Sequence, residues 1–101
     1  MAKLVRDLIP AVIPQEKLHL FRFTTLSELE YGEHLKKKLR EEVEEFLEAE
    51  NVEELADIYE VLESIIKLKQ FHFDEIKQVQ NQKRTQRGSF EKRLLMENVG
   101  I

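Results

Sequence analysis

The chain has no cysteine and no tryptophan, only 2 prolines and 3 glycines, and no excess of positive charge. Without cysteine, disulfides, thiolate zinc sites and a cysteine nucleophile are excluded. So few prolines and glycines leave little punctuation, which favours long helices over many short strands. The apolar runs are only a few residues long, far short of a membrane-spanning helix. Charges interrupt the opening Met1–Asp7, so no signal peptide is expected there, and a cytoplasmic protein is the expectation. The 16 bases and 20 acids among 101 residues give a formal charge of −4, which argues against a duplex-DNA binder. What remains, 42% apolar and 36% charged residues, describes one small folded domain over 1–101, neither disordered nor membrane-embedded.

The steps Ile9-Pro10 and Ile13-Pro14 keep any helix in the opening segment short and irregular. His19-Leu20-Phe21-Arg22-Phe23 alternates weakly, as one short extended piece would. Thr25-Leu26-Ser27-Glu28 is a capping-box pattern with Thr25 as the N-cap. A helix is expected from there to about Glu50, with Leu35, Leu39, Val43, Phe46 and Leu47 recurring at steps of four and three. Gly32 inside it costs about 1 kcal/mol relative to alanine and is where a kink or break is expected if there is one. Asn51 caps a second helix bearing Leu55, Ile58, Tyr59, Val61, Leu62, Ile65, Ile66 and Leu68. A third is expected from Phe73 or Asp74 to Arg87, stopped by Gly88. Phe90, Leu94, Leu95, Met96, Val99 and Ile101 of the tail are expected to dock. The pattern defines an all-α fold: a helical hairpin after a short irregular N-terminal segment. The second helix is apolar around more of its circumference than one neighbour covers. Two hairpins would then pair into a four-helix bundle as a homodimer or tetramer.

The charges are segregated. From Glu41 to Glu63 there are eleven acids and no base, and from Ser64 onward eight bases stand against four acids. Most of the acids fall on outward faces, where they are solvated. Four do not. At about 100° per residue, Glu42 lies some 20° from Leu35, inside the apolar stripe, and Glu45 lies at its edge one turn on. On the second helix Glu54 falls near the centre of the stripe and Asp57 at its edge. Each helix therefore presents an inward acid and another at i+3. An unpaired buried carboxylate costs several kcal/mol or takes up a proton. An all-oxygen cluster suits a hard divalent ion, Mg²⁺ or Mn²⁺. The residues leave a second reading open, in which Lys38 and Arg40 pair with these acids as ordinary i+3 and i+4 salt bridges.

Lys38-Leu39-Arg40-Glu41-Glu42-Val43-Glu44-Glu45, followed by Glu54-Leu55-Ala56-Asp57, resembles the Glu-Glu-x-x-Glu and Glu-x-x-Asp signature of the MazG-like, all-α nucleoside triphosphate pyrophosphohydrolases. Lys3-Leu4-Val5-Arg6-Asp7 with Ile9-Pro10, Asn51 to Val61, and Lys83-Arg84 with Arg87 to Arg93 look like the phosphoribosyl-ATP-pyrophosphohydrolase-like subgroup. Only eight residues separate Glu45 from Glu54, short for the superfamily but fitting the subgroup. The resemblance implies Mg²⁺, with Mn²⁺ as a substitute, held by Glu42, Glu45, Glu54 and Asp57. It also implies cleavage of a nucleoside triphosphate between the α and β phosphates, with Glu45 or Glu42 as the catalytic carboxylate. Lys77-x-x-x-Asn81-x-x-Arg84 resembles the basic third-helix motif of MazG-like relatives. Lys38, Lys77, Lys83, Arg84, Arg87, Lys92 and Arg93 are the candidate phosphate contacts, and Lys3 and Arg6 are candidates to complete the grip. Other substrates of the same fold, phosphoribosyl-ATP or a deoxyuridine nucleotide, remain alternatives. So does a catalytically silent helical module that binds a partner or nucleic acid through Lys77 to Arg93. His19, His34 and His72 have no metal-ligand spacing.

Overall fold

The computed structural model describes residues 2–100. In chain order it contains α1 (Ile9–Val12), a 3-10 helix (Gln15–Leu20), α2 (Glu28–Ala49), α3 (Val52–Lys69) and α4 (Phe73–Arg87). The chain divides into a unit that runs to Lys69 and a second that begins at Gln70.

The first unit is built on the α2–α3 hairpin. Its opening segment departs from expectation. Pro10 stands in the first turn of α1, where its missing N–H costs nothing. The extended piece expected over His19–Phe23 begins only at Phe21, because His19 and Leu20 are helical. The 3-10 helix occupies Gln15–Leu20, and the backbone turns extended at Phe21. A lone strand has no partner to satisfy its backbone groups, whereas a 3-10 turn bonds internally, as Lys17 N–H does to the Pro14 carbonyl at 2.9 Å.

The capping box is real but sits two residues later than the Thr25 pattern suggests. Ser27 is the N-cap of α2. Its Oγ accepts from the Glu30 N–H at 3.2 Å, and Glu30 Oε1 accepts from the Ser27 N–H at 3.4 Å. Thr25-x-x-Glu28 and Ser27-x-x-Glu30 both fit the rule. The later start places Leu26 and Tyr31, both half-buried, at the two positions of a hydrophobic staple. From there α2 runs unbroken through Gly32. A β-carbon at that position would lie 3.3 Å from Leu68 Cδ2, so the glycine lets α2 and α3 approach closely.

The hairpin turn is two residues long. Glu50 adopts a left-handed conformation (φ 48°), and its N–H bonds the Phe46 carbonyl at 2.7 Å. Asn51 then caps α3 as expected, its Oδ1 accepting from the Glu54 N–H at 2.9 Å. Asn51→Ala is expected to lower stability by about 1 kcal/mol, and the melting midpoint by roughly 5 °C. A thermal melt followed by circular dichroism checks this.

Packing inside the hairpin is thin. Leu35 (3% exposed) and Val61 (7%) are the buried apolar residues, with Leu39, Phe46, Ile58, Ile65, Ile66 and Leu68 half-buried around them. Val52, Leu55, Tyr59 and Leu62 form an exposed apolar face on α3, and Leu47 on α2 is exposed as well.

In the second unit α4 spans Phe73–Arg87, ended by Gly88 at φ 80° with its N–H on the Arg84 carbonyl at 2.8 Å. That stop needs a residue tolerant of positive φ, which glycine is. Ile76 is the half-buried position of α4. The tail side chains Phe90, Leu94, Leu95, Met96 and Val99, expected to dock, are exposed, and Ile101 lies outside the described residues.

Candidate metal centre on the helical hairpin

Glu42 stands seven residues after Leu35, close to two full turns, so it shares the inward stripe of α2. It is 6% exposed, the buried charged residue among those described. Glu54 and Asp57 are one turn apart near the start of α3 and are half-buried. The short Glu50–Asn51 turn brings the start of α3 back beside the end of α2. One carboxylate oxygen from each of Glu42, Glu54 and Asp57 then lies within 4.8 Å of the others.

Two cations stand beside the three acids. Lys38 Nζ lies 3.2 Å from Glu42 Oε1 and 3.6 Å from Glu41 Oε1, one turn before them on α2. This is the i, i+4 pairing that the sequence left as the second reading. It covers only one oxygen of Glu42: Glu42 Oε2 and Glu54 Oε2 are both buried with no hydrogen-bond partner. Arg6, from the N-terminal segment, places Nη2 2.7 Å from Asp57 Oδ1 and Nη1 3.8 Å from Glu60 Oε1. Arg40 makes no ion pair among the described residues.

Burial raises the Glu42 carboxyl above its ordinary value, and the neighbouring Glu45 carboxylate pushes it the same way. The Lys38 ammonium pulls in the opposite direction without reversing the shift. Glu45 itself is exposed and lies outside the three-acid group. Three of the four acids singled out in the sequence are thus brought together, and the fourth flanks them one turn along α2.

Three converging carboxylates, two of them with orphaned oxygens, fit a hard divalent cation. Their donor set is all oxygen, with no sulfur or imidazole, and the charge they concentrate is left short of partners by Lys38 and Arg6. Beside them is a pocket of about 390 Å³, whose lining joins Arg6, Lys38, Glu42, Asp57 and Glu60 to apolar Leu4, Val5, Leu35 and Val61, with Tyr31 and Ser64. The Ser64 hydroxyl donates to the Glu60 carbonyl at 3.1 Å.

Of the candidate phosphate contacts, Lys38 belongs to this site. Lys77, Lys83, Arg84 and Arg87 are exposed on α4, and Lys92 and Arg93 are exposed after it, all in the second unit. There Lys77 Nζ donates to Gln80 Oε1 at 3.1 Å. Arg6 is the residue whose place the sequence reveals least. It sits in a segment without helical or strand periodicity, and its partner Asp57 is 51 residues away. Its only sequence signal is a base within the Lys3–Asp7 motif.

Comparison of the chain with protein-family models, curated proteins and solved structures finds no match.

Proposed function

We propose that this protein is a Mg²⁺-dependent nucleotide pyrophosphohydrolase of the cytoplasm, cleaving a nucleoside triphosphate, including non-standard ones, between the α and β phosphates. The observation that carries this reading is the convergence of Glu42, Glu54 and Asp57 to within 4.8 Å from two helices, with an orphaned buried oxygen on two of them. A silent binding module gains nothing from such oxygens, since glutamine or an apolar residue at Glu42 would remove a desolvation cost.

In this reading Glu42, Glu54 and Asp57 hold the ion. Bound there, Mg²⁺ would neutralise phosphate oxygens and lower the pKa of the attacking water. Glu45, exposed beside Glu42 and outside the group, receives the water's proton on its carboxylate. Water adds at the α phosphorus, pyrophosphate leaves, and a nucleoside monophosphate remains. Lys38 offsets part of the negative charge of the α2 acids, and the bound ion would offset more, which lessens the repulsion of a polyphosphate. The pocket falls within the usual size of small-molecule sites, and its apolar wall offers a surface for the nucleoside. The resemblance assigns further phosphate contacts to Lys77, Lys83, Arg84, Arg87, Lys92 and Arg93. Lys38 and Arg6 are the cations that stand beside the acids.

The test is a panel of nucleoside triphosphates assayed with Mg²⁺ for pyrophosphate and for single phosphate. Pyrophosphate as the product supports the reading. Single phosphate, or no turnover of any member, sinks it.

The same proposal includes a second copy of the chain. A hairpin whose buried apolar residues, among those described, are Leu35 and Val61 leaves Val52, Leu55, Tyr59 and Leu62 of α3 exposed, and a four-helix bundle would cover them. Leu55→Glu combined with Leu62→Glu is expected to halve the sedimenting mass of a dimer in analytical ultracentrifugation, because each charge would be buried without a partner. An unchanged mass would place the interface elsewhere.

A further inference from the structure

We propose that Arg6 is the resident counter-cation of the acidic site: it holds Asp57 while no divalent cation is bound and yields that carboxylate when one is. The inference rests on the metal reading above and adds a moving part to it.

Arg6 Nη2 meets Asp57 Oδ1 at 2.7 Å, a charge-assisted bond to one of the three clustered carboxylates. Among the described residues it is the one side-chain hydrogen bond that joins residues more than four apart in sequence. Ala2 to Arg6 have no regular secondary structure, and apart from Arg6 their hold on the hairpin is through half-buried Leu4 and Val5. The polar tether of this strap is therefore also a contact to a candidate metal ligand.

The two bases of the site differ in how free they are to leave. Lys38 is 19% exposed and lies against Glu42 Oε1, which leaves Glu42 Oε2 open, so Lys38 and an ion use different atoms. Arg6 is 58% exposed and bonds a carboxylate that is itself 38% exposed, so water is at hand to solvate the guanidinium when it lets go. A doubly charged ion held by Asp57 repels a guanidinium on the same carboxylate, and the partly exposed pair is too weakly bound to resist. Once released, the guanidinium has its forked donors free for a phosphate oxygen. Glu60, 3.8 Å from Nη1, keeps it near the pocket.

The test uses the full chain as wild type, Arg6→Gln and Arg6→Lys, each shown to be helical by circular dichroism. Mn²⁺ binding is measured by calorimetry, and amide hydrogen exchange of residues 9–13, whose N–H groups bond the Arg6, Leu8 and Ile9 carbonyls, is followed with and without Mn²⁺. Arg6→Gln is expected to bind Mn²⁺ about three- to five-fold tighter, the scale on which one exposed ion pair competes. Arg6→Lys is expected to stay near wild type. Exchange over residues 9–13 is expected to speed up on Mn²⁺ addition in wild type and to be fast from the outset in Arg6→Gln. Substrate hydrolysis by Arg6→Gln is expected to fall although metal binding strengthens, opposite signs that a purely structural role does not produce. Unchanged or weaker Mn²⁺ binding by Arg6→Gln, with exchange over residues 9–13 indifferent to the ion, overturns the proposal while leaving the metal site standing. No Mn²⁺ binding by the wild type overturns the metal site itself and this inference with it.

Discussion

Glu54→Gln is expected to lower pyrophosphate release by on the order of a thousandfold, and Glu42→Gln by a similar factor. A ligand carboxylate changed to an amide keeps its shape and loses its charge, so the loss is one of ion binding rather than of fold. Glu54 Oε2 is already buried without a hydrogen-bond partner, and glutamine leaves the helix start, capped by Asn51, in place. Glu45→Gln separates the roles. As the proton acceptor outside the three-acid group, it should cost about a hundredfold or more in rate while Mn²⁺ binding is retained. Glu44→Gln, on an exposed position of the same helix, should do neither. Initial rates of pyrophosphate release and Mn²⁺ titrations on the four variants decide the matter. A Glu54→Gln protein that turns over at the wild-type rate removes the basis for the hydrolase.

The second large effect has the opposite sign. Without metal, Glu42→Gln is expected to stabilise the protein at neutral pH by about 1 kcal/mol, raising the midpoint by several degrees. The reason is the raised pKa of Glu42, caused first by burial and then by Glu45, and only partly offset by Lys38. A carboxyl whose folded pKa lies above its unfolded value favours the folded state while it is protonated. That contribution is complete below the ordinary carboxyl range and is lost as pH rises through the raised value. Glutamine stays neutral throughout. The gain from the substitution should therefore vanish in acid and grow toward neutral pH. Mg²⁺ should invert the order at neutral pH: wild type gains stability from an ion that binds only the folded state, and the variant does not. Melts from acid to neutral pH, with and without Mg²⁺, read both effects. A wild type whose midpoint ignores Mg²⁺ while the variant shows no pH-dependent gain would mean that Glu42 is simply a salt-bridge partner of Lys38.

How much of this was legible in advance varies from residue to residue. Asn51 and Gly88 were readable as helix punctuation because cap chemistry is local: one side-chain oxygen for Asn51, one positive φ for Gly88. The local rule does not separate Ser27 from Thr25, because Thr25-x-x-Glu28 and Ser27-x-x-Glu30 both satisfy it. The half-buried positions of Leu26 and Tyr31 accompany the later start. The extended piece expected over His19–Phe23 starts only at Phe21, since His19 and Leu20 close a 3-10 helix that begins at Gln15, beyond the reach of a five-residue window. The exposed Leu94, Leu95 and Met96 show the converse, since an apolar side chain does not say by itself what will cover it.

The sequence alone determined the long helices, a short turn capped by Asn51 between α2 and α3, and the inward position of Glu42. All three follow from periodicity and capping, forces that act within one or two helical turns. Only the tertiary structure decided that Glu54 and Asp57 meet Glu42 while Glu45 stays outside, that two carboxylate oxygens are left without partners, and that Arg6 lands on Asp57. Those facts depend on how closely two helices pack and where an irregular strap crosses them. A helical repeat gives the direction of a side chain from its own axis, but not its distance from a charge on another element.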